Sequence, residues 1–536
     1  MHNTILIILG LLFVVLLLVM VAQRLKIAYP IFLVVAGLGI SFIPGMPKMG
    51  LDPDVIFLIF LPPLLYEAAW YTSWKDFWKW KRPIALLAFG LVFLTSIVVA
   101  YTAQALIPGF TLALGFLLGG IVSPPDAVAA ATVMKGIKVP KRILTILEGE
   151  SLVNDASSLI VFRFALAAII TGTFSLQVAV GDFFLAAGMG VIIGIVFGHI
   201  MYAIHRFLPT TSAMDTALTV MTPYVVYLVA EHYHFSGVIG VVTAGLFISF
   251  RSHEIFKTAD SRINTINVWR TMAFVMNAIV FILIGLELPN IVDGLGEHSI
   301  AEAIHYGLII SAIVIAIRFI WVYPVTFLPR LLFKSIRHNE PNPGWRIPLV
   351  TSWAGMRGVV SLATALSIPV MFSSTETFPF RNLIIFITFV VIFITLVVQG
   401  LTLPLVVRLI KIKEVDEELP REQQEAGIRL RLNKVALQKL EEKYADEVND
   451  NELLSFFKDS LVNDIDITRQ KLDSLECDAT EREELALYAK VLKDIYHTQR
   501  YELHRLKKEK FYSDEEIRHM EMQVDLEELK ISRYFN

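Results

Sequence analysis

The sequence holds one cysteine, Cys477, in 536 residues. A lone thiol closes no intramolecular disulfide and builds no cysteine-rich metal site. Charge is also scarce: Asp, Glu, Lys and Arg make up 18% of the chain, and most of them fall after Lys411. A net charge of −3 offers no broadly basic surface, and nothing in the pattern points to nucleic acid. The N-terminus lacks the basic stretch and the small-residue cleavage site of a secretory leader. The apolar run Ile5–Val21 is therefore expected to remain as a first membrane span.

What is abundant is apolar surface. Hydrophobic residues make up 55% of the chain, and its mean hydropathy is +0.61. Long uncharged apolar runs of this kind read as membrane spans. Thirteen are expected, at about 3–22, 27–45, 51–72, 83–107, 111–134, 143–171, 178–205, 214–233, 236–252, 266–290, 302–329, 347–372 and 381–410. Lipid offers backbone groups no partners, so each span must be helical. The fold class expected is an all-α polytopic membrane protein. Residues 1–412 form the membrane part, and the charged stretch 413–536, apolar at three- and four-residue spacing, forms a separate amphipathic helical domain on the cytoplasmic side.

The loops set the orientation. Arg24 and Lys26, then Lys75, Lys79, Lys81 and Arg82, then Lys135, Lys138, Lys141 and Arg142 fall on one side. Arg206, Arg251, Lys257, Arg262, Arg330, Lys334, Arg337 and Arg346 continue that series, while the other side offers Lys48 and Arg381. Basic loops stay in the cytoplasm. The N-terminus is then outside and the C-terminus inside. Trp70, Trp74, Trp78 and Trp80 cluster at one boundary, as interfacial aromatics do.

Ionisable residues inside spans are costly and ask for a reason. Glu67, Asp126, Glu148, Glu150, Asp155, Arg163, Glu287, Arg318 and Arg357 are such residues. Ser123-Pro124-Pro125-Asp126 sits in the middle of the fifth span, and two consecutive prolines cannot continue a helix. In the twelfth, Gly355 and Gly358 flank Arg357. Two interrupted spans seven apart run in opposite directions, which is the pattern of an inverted-repeat transporter with its site at the breaks. Spans one to six and eight to thirteen are the expected repeats.

Helical spacing sorts the sixth span. Ser151 and Asp155 share one stripe, and Glu150 and Asn154 the next. The first stripe suits a hard cation, which takes oxygen ligands. Asp155, Ser151, Asp126, Glu67 and a carbonyl freed at Pro125 are the candidate cation and proton ligands. Asn154, Glu150 and Arg357 are the candidate support, with Arg357 expected to pair with Glu150. Arg163 and Arg318 are expected to bridge helices or snorkel. His199 and His205 fit interfacial packing.

At these residues the chain resembles the sodium/proton exchangers of the monovalent cation:proton antiporter-1 family, which includes the NhaP-type bacterial antiporters. The likeness covers about residues 1–410. It rests on Leu61-Pro62-Pro63, Ser123-Pro-Pro-Asp126, Gly149-Glu-Ser-Leu-Val-Asn-Asp155 and Gly355-Met-Arg-Gly358. It implies antiport without a cofactor, with sodium or lithium and protons as cargo. It also implies a homodimer, embedded in lipid, in which a core domain moves against a dimerisation domain. Asp155 would be the principal carboxylate, and the only bound metal, at Asp155 and Ser151, would be the transported ion. Asn154 before the aspartate resembles the electroneutral members. Many relatives have Asp-Pro at the first break, where this chain has Pro125-Asp126-Ala127. Potassium/proton exchange needs only a slightly wider cage in the same fold. A channel would need a continuous pore with a filter. A serine protease would need a deep histidine beside Ser151, which the sequence does not supply.

Overall fold

The computed structural model describes residues 2–43, 53–135, 137, 139–172, 176–295, 299–371, 377–412, 421–476, 479–506 and 514–535. Lys48, Lys138 and Cys477 lie outside them. The chain divides into two compact units, Met1–Asp416 and Glu417–Asn536.

The first unit is a bundle of apolar helices. In chain order they are α1 (His2–Leu25), α2 (Tyr29–Ser41), α3 (Pro53–Tyr71) and α4 (Lys81–Leu106). There follow α5 (Leu112–Met134), α6 (Lys141–Thr171), α7 (Leu176–Phe207) and α8 (Ser212–His232). The series ends with α9 (Gly237–Phe250), α10 (Ala259–Leu286), α11 (Ile300–Leu332), α12 and α13 (Arg381–Ile410). Two of them are interrupted. The α5 helix consists of α5a (Leu112–Val122) and α5b (Ala127–Met134), and α12 of α12a (Arg346–Trp353) and α12b (Val359–Leu366). These helices match the thirteen expected spans one for one, and the only strand-like pairing among the described residues is an isolated bridge between Met371 and Thr377.

Local chemistry starts these helices. Thr111, Thr211, Ser236, Thr258 and Ser299 each accept from the backbone N–H three residues on, at the heads of α5, α8, α9, α10 and α11. Their lengths come from apolar runs, and the outer faces stay apolar. Val191, Ile192, Ile195, Val196 and Ile200 of α7 are all exposed. Such a stripe is stable facing acyl chains, where water would penalise it.

Packing joins helices far apart in sequence. The α2 helix lies along α10, α9 runs between α3 and α7, and α5 between α4 and α6. At the α2–α10 crossing Gly37 and Gly285 face each other's backbones. A β-carbon on Gly285 would overlap the Val34 carbonyl, so only glycine allows this approach. The α13 helix stays continuous but contains a π-helical stretch, Ile394–Gln399. It bears directly on the site described next.

The second unit is helical and rich in charged residues: α14 (Arg421–Lys443), α15 (Glu452–Glu476), α16 (Ala479–Leu506) and α17 (Asp514–Phe535). The α14 helix packs on α15 and α16 on α17. Leu461, Ile465, Ile517 and Val524 are buried within it. Arg500 bridges α16 to Asp525 at 2.7 Å and to Glu528.

Candidate functional site

The prolines shape the first break. Ser123, just past the end of α5a, makes the last helical bond, donating to Gly119 O at 3.0 Å. Pro124 and Pro125 have no N–H to extend the ladder. Asp126 then starts α5b, its Oδ1 accepting from Val128 N at 2.8 Å. The second break opens where Ala354 N closes α12a on Val350 O at 2.9 Å. The chain runs through Gly355 to Gly358 outside any helix before α12b begins.

The two breaks bind each other. Asp126 N donates to Met356 O at 2.7 Å. Arg357 Nε donates to Val122 O, the last carbonyl of α5a, at 2.8 Å, and Nη1 to Gly355 O at 2.6 Å. Thr395, in the π-helical stretch of α13, accepts from Arg357 N at 3.0 Å. The Asp126 carboxylate lies against Gly358, the residue before α12b, and any β-carbon there would collide with it. The end charges of the half-helices are therefore met: an acid sits at the N-termini and a guanidinium at a carbonyl end.

The sixth helix fixes this junction. Asn154 Nδ2 donates to Pro125 O at 2.9 Å, and Ser151 Oγ accepts from Ala127 N at 3.3 Å. The Pro125 carbonyl thus already receives one hydrogen bond and keeps one lone pair for an ion. Asp155 is 7% exposed, and its carboxylate has no hydrogen-bonding or ion-pair partner among the described residues. It opens on a cavity of about 350 Å³ lined also by Ser151, Asp126, Glu67, Glu148 and Asn277. The cavity brings together Asp155, Ser151, Asp126, Glu67 and Pro125, all five expected ligands.

The expected Glu150–Arg357 pair does not form. Glu150 instead takes Arg318 of α11 in a bidentate pair, Nη1 to Oε1 at 2.6 Å and Nη2 to Oε2 at 2.8 Å, with both side chains 1% exposed. Arg318 Nε also donates to Thr351 O at 3.2 Å, which ties α6 and α11 to α12a. The physical reason is that Arg357 is needed elsewhere. The broken end of α5a leaves carbonyls without partners, and the nearest fixed cation settles on them. Arg163 bridges to Glu231 of α8 at 2.6 Å, as a helix-joining arginine should.

A family model described as "Sodium/hydrogen exchanger, transmembrane" matches residues 9–409. The chain belongs to this exchanger family. A protein of Bacillus pumilus named as a sodium, potassium, lithium and rubidium/H+ antiporter is 34% identical over 386 residues, which are 70% of this chain and 57% of that protein. The chain thus spans little more than half the length of that relative. An uncharacterised Na+/H+ exchanger of Mycobacterium bovis is 31% identical over 95% of this chain and 93% of its own length. In fold, the chain resembles the solved sodium proton antiporter MjNhaP1 of Methanocaldococcus jannaschii. The TM-score is 0.55 and the identity 18%, over 76% of this chain and 98% of that one.

Two residues of the cavity wall were not among the expected ligands: Glu148, which the sequence flags only as an acid within a span, and Asn277, which it does not single out. Glu148 precedes Ser151 by three residues and Asp155 by seven, so helical register alone places it on their stripe. Asn277 is a buried amide in the apolar middle of α10, and a buried polar group in a span is itself a signal.

Proposed function

We propose that this chain exchanges sodium or lithium for protons, one for one, by alternating access. It does so as a homodimer in the cell membrane, with its N-terminus outside and its C-terminus in the cytoplasm, and serves pH and sodium homeostasis. One observation carries this reading: Asp155 is a buried carboxylate without a partner among the described residues, in a cavity it shares with Ser151, Asp126 and Glu67. The nearby arginines are spoken for, Arg318 by Glu150 and Arg357 by carbonyls. A buried carboxylate with no fixed counter-charge favours neutralisation by something that enters. A sodium ion and a proton both satisfy it, but not together, and that exclusion is antiport. Asn154 adds no second charge beside Asp155, which supports the one-for-one ratio. The distribution of basic loops supports the orientation, and the family resemblance supports the dimer.

Potassium is the second reading. It is favoured by the name of the Bacillus relative, which includes potassium and rubidium. Dye-monitored proton flux in proteoliposomes, with lithium, sodium and potassium added separately, separates the two. Asp155→Asn should lose at least about 100-fold in cation-driven proton flux while keeping its thermal stability in detergent. Saturable sodium-driven flux in that variant would overturn the assignment.

A further inference from the structure

Most buried hydroxyls in these helices bond back to a carbonyl one turn earlier. Thr364 donates to Val360 O at 2.7 Å, Ser352 to Pro348 O at 2.8 Å, Thr351 to Ile347 O at 2.9 Å and Thr388 to Ile384 O at 2.8 Å. Ser361 does not. It lies in the first turn of α12b, and the residue four places earlier is Arg357, inside the break. The carbonyl that would take its proton in a continuous helix belongs to unwound chain.

Ser361 is 1% exposed, and its Oγ has no hydrogen-bond partner among the described residues. A buried hydroxyl left this way is costly, and a ligand in the adjoining cavity would relieve that cost. Ser361 is also part of the wall of the cavity that holds Asp155, Ser151 and Asp126. A hydroxyl carries two lone pairs and can rotate its hydrogen away, which suits it to a hard cation and not to a bare proton site.

We propose that Ser361 Oγ is a ligand of the transported cation, supplied by the second repeat opposite Asp155 and Ser151 of the first. The proposal rests on the antiport reading above. It makes the ion a bridge between the two halves of the fold, because α6 and α12b each contribute oxygens. The Ser361 hydroxyl is then satisfied when the cation is bound. When a proton replaces the cation on Asp155, Ser361 loses its ligand, so Ser361 affects cation affinity and selectivity far more than proton binding.

The test uses the full chain in proteoliposomes at one alkaline pH, with Ser361→Ala, Ser361→Thr and Asp155→Asn measured beside the parent. Ser361→Ala should raise the KM for sodium about five- to tenfold, leave kcat within about twofold, and change the lithium-to-sodium KM ratio. Ser361→Thr keeps the hydroxyl and should restore most of the sodium affinity. An unchanged sodium KM in Ser361→Ala overturns the proposal. It is equally overturned if both Ser361 variants lose kcat and thermal stability in step, which is the mark of a packing role. Flux through Asp155→Asn marks the separate failure of the antiport reading itself.

Discussion

The two interrupted helices reach the same backbone outcome by opposite chemistry. At the first break, two prolines remove donors and an aspartate caps the helix that resumes. At the second, glycines let the chain approach and an arginine covers carbonyls, one of which belongs to the other break. The repeat is thus symmetric in its fold and antisymmetric in its charge. The acid of one break sits against the glycine of the other, while the base of the second fills the open end of the first. Such an arrangement leaves the junction nearly balanced without the ion. Among the described residues, Asp155 on the neighbouring helix is then a buried carboxylate that no fixed cation compensates. On the proposed reading, interruption makes room for an ion, whereas the placement of fixed charge decides which group that ion neutralises.

The sharpest way to break this comparison is to remove a fixed charge that faces another. Arg318→Ala leaves Glu150 buried without its partner, since both side chains of the pair are 1% exposed. Stranding one member of a buried pair costs about 3–5 kcal/mol. A large fall in thermal stability in detergent is expected, with recovery in the double variant Glu150→Gln, Arg318→Met. If the single variant melts with the parent, the Glu150–Arg318 pair holds nothing together and the division of labour between the two arginines is wrong.

How far the sequence foretells this site depends on the range of the interaction. Pro124 and Pro125 announce the first break because proline acts on its own backbone. The shared stripe of Ser151 and Asp155 follows from helical register. Glu67 is flagged by the cost of an acid in lipid, and it lines the same cavity as Asp155. The partner of Glu150 is another matter. Residues 150, 318 and 357 are linked by no local spacing, and the choice between two equally deep arginines is made by how α11 and α12 pack. The demand that decides it, open carbonyls at the end of α5a, is visible only when Val122 and Arg357 are brought to 2.8 Å. The π-helical stretches at Leu86–Leu91 and Ile394–Gln399 are likewise hidden, because an extra residue in a helical turn leaves the apolar pattern intact.

A smaller effect sharpens the contrast between the arginines. Arg357→Ala strands carbonyls and no opposite charge. Val122 O and Gly355 O lose their guanidinium donor, while Glu150 keeps Arg318. An unsatisfied buried acceptor costs about 1–3 kcal/mol. The thermal midpoint should fall less than for Arg318→Ala, whereas exchange should suffer heavily because the junction of the two breaks loosens. A stability loss matching that of Arg318→Ala would restore Arg357 as the counter-charge of Glu150.

The weakest perturbation belongs to the third arginine within a span. Arg163 makes a 2.6 Å pair with Glu231, a contact as short as the one between Arg318 and Glu150. Distance therefore does not rank the two. Burial does: the Arg163 side chain is 47% exposed and Glu231 27%, against 1% for each member of the inner pair. Solvent or headgroups can take over from a lost partner at the outer site, so Arg163→Ala should cost less than about 1 kcal/mol and leave sodium-driven flux near the parent level. A loss as large as that of Arg318→Ala would mean that the outer pair is far drier in the membrane than its exposure indicates, and that burial is the wrong basis for separating the arginines.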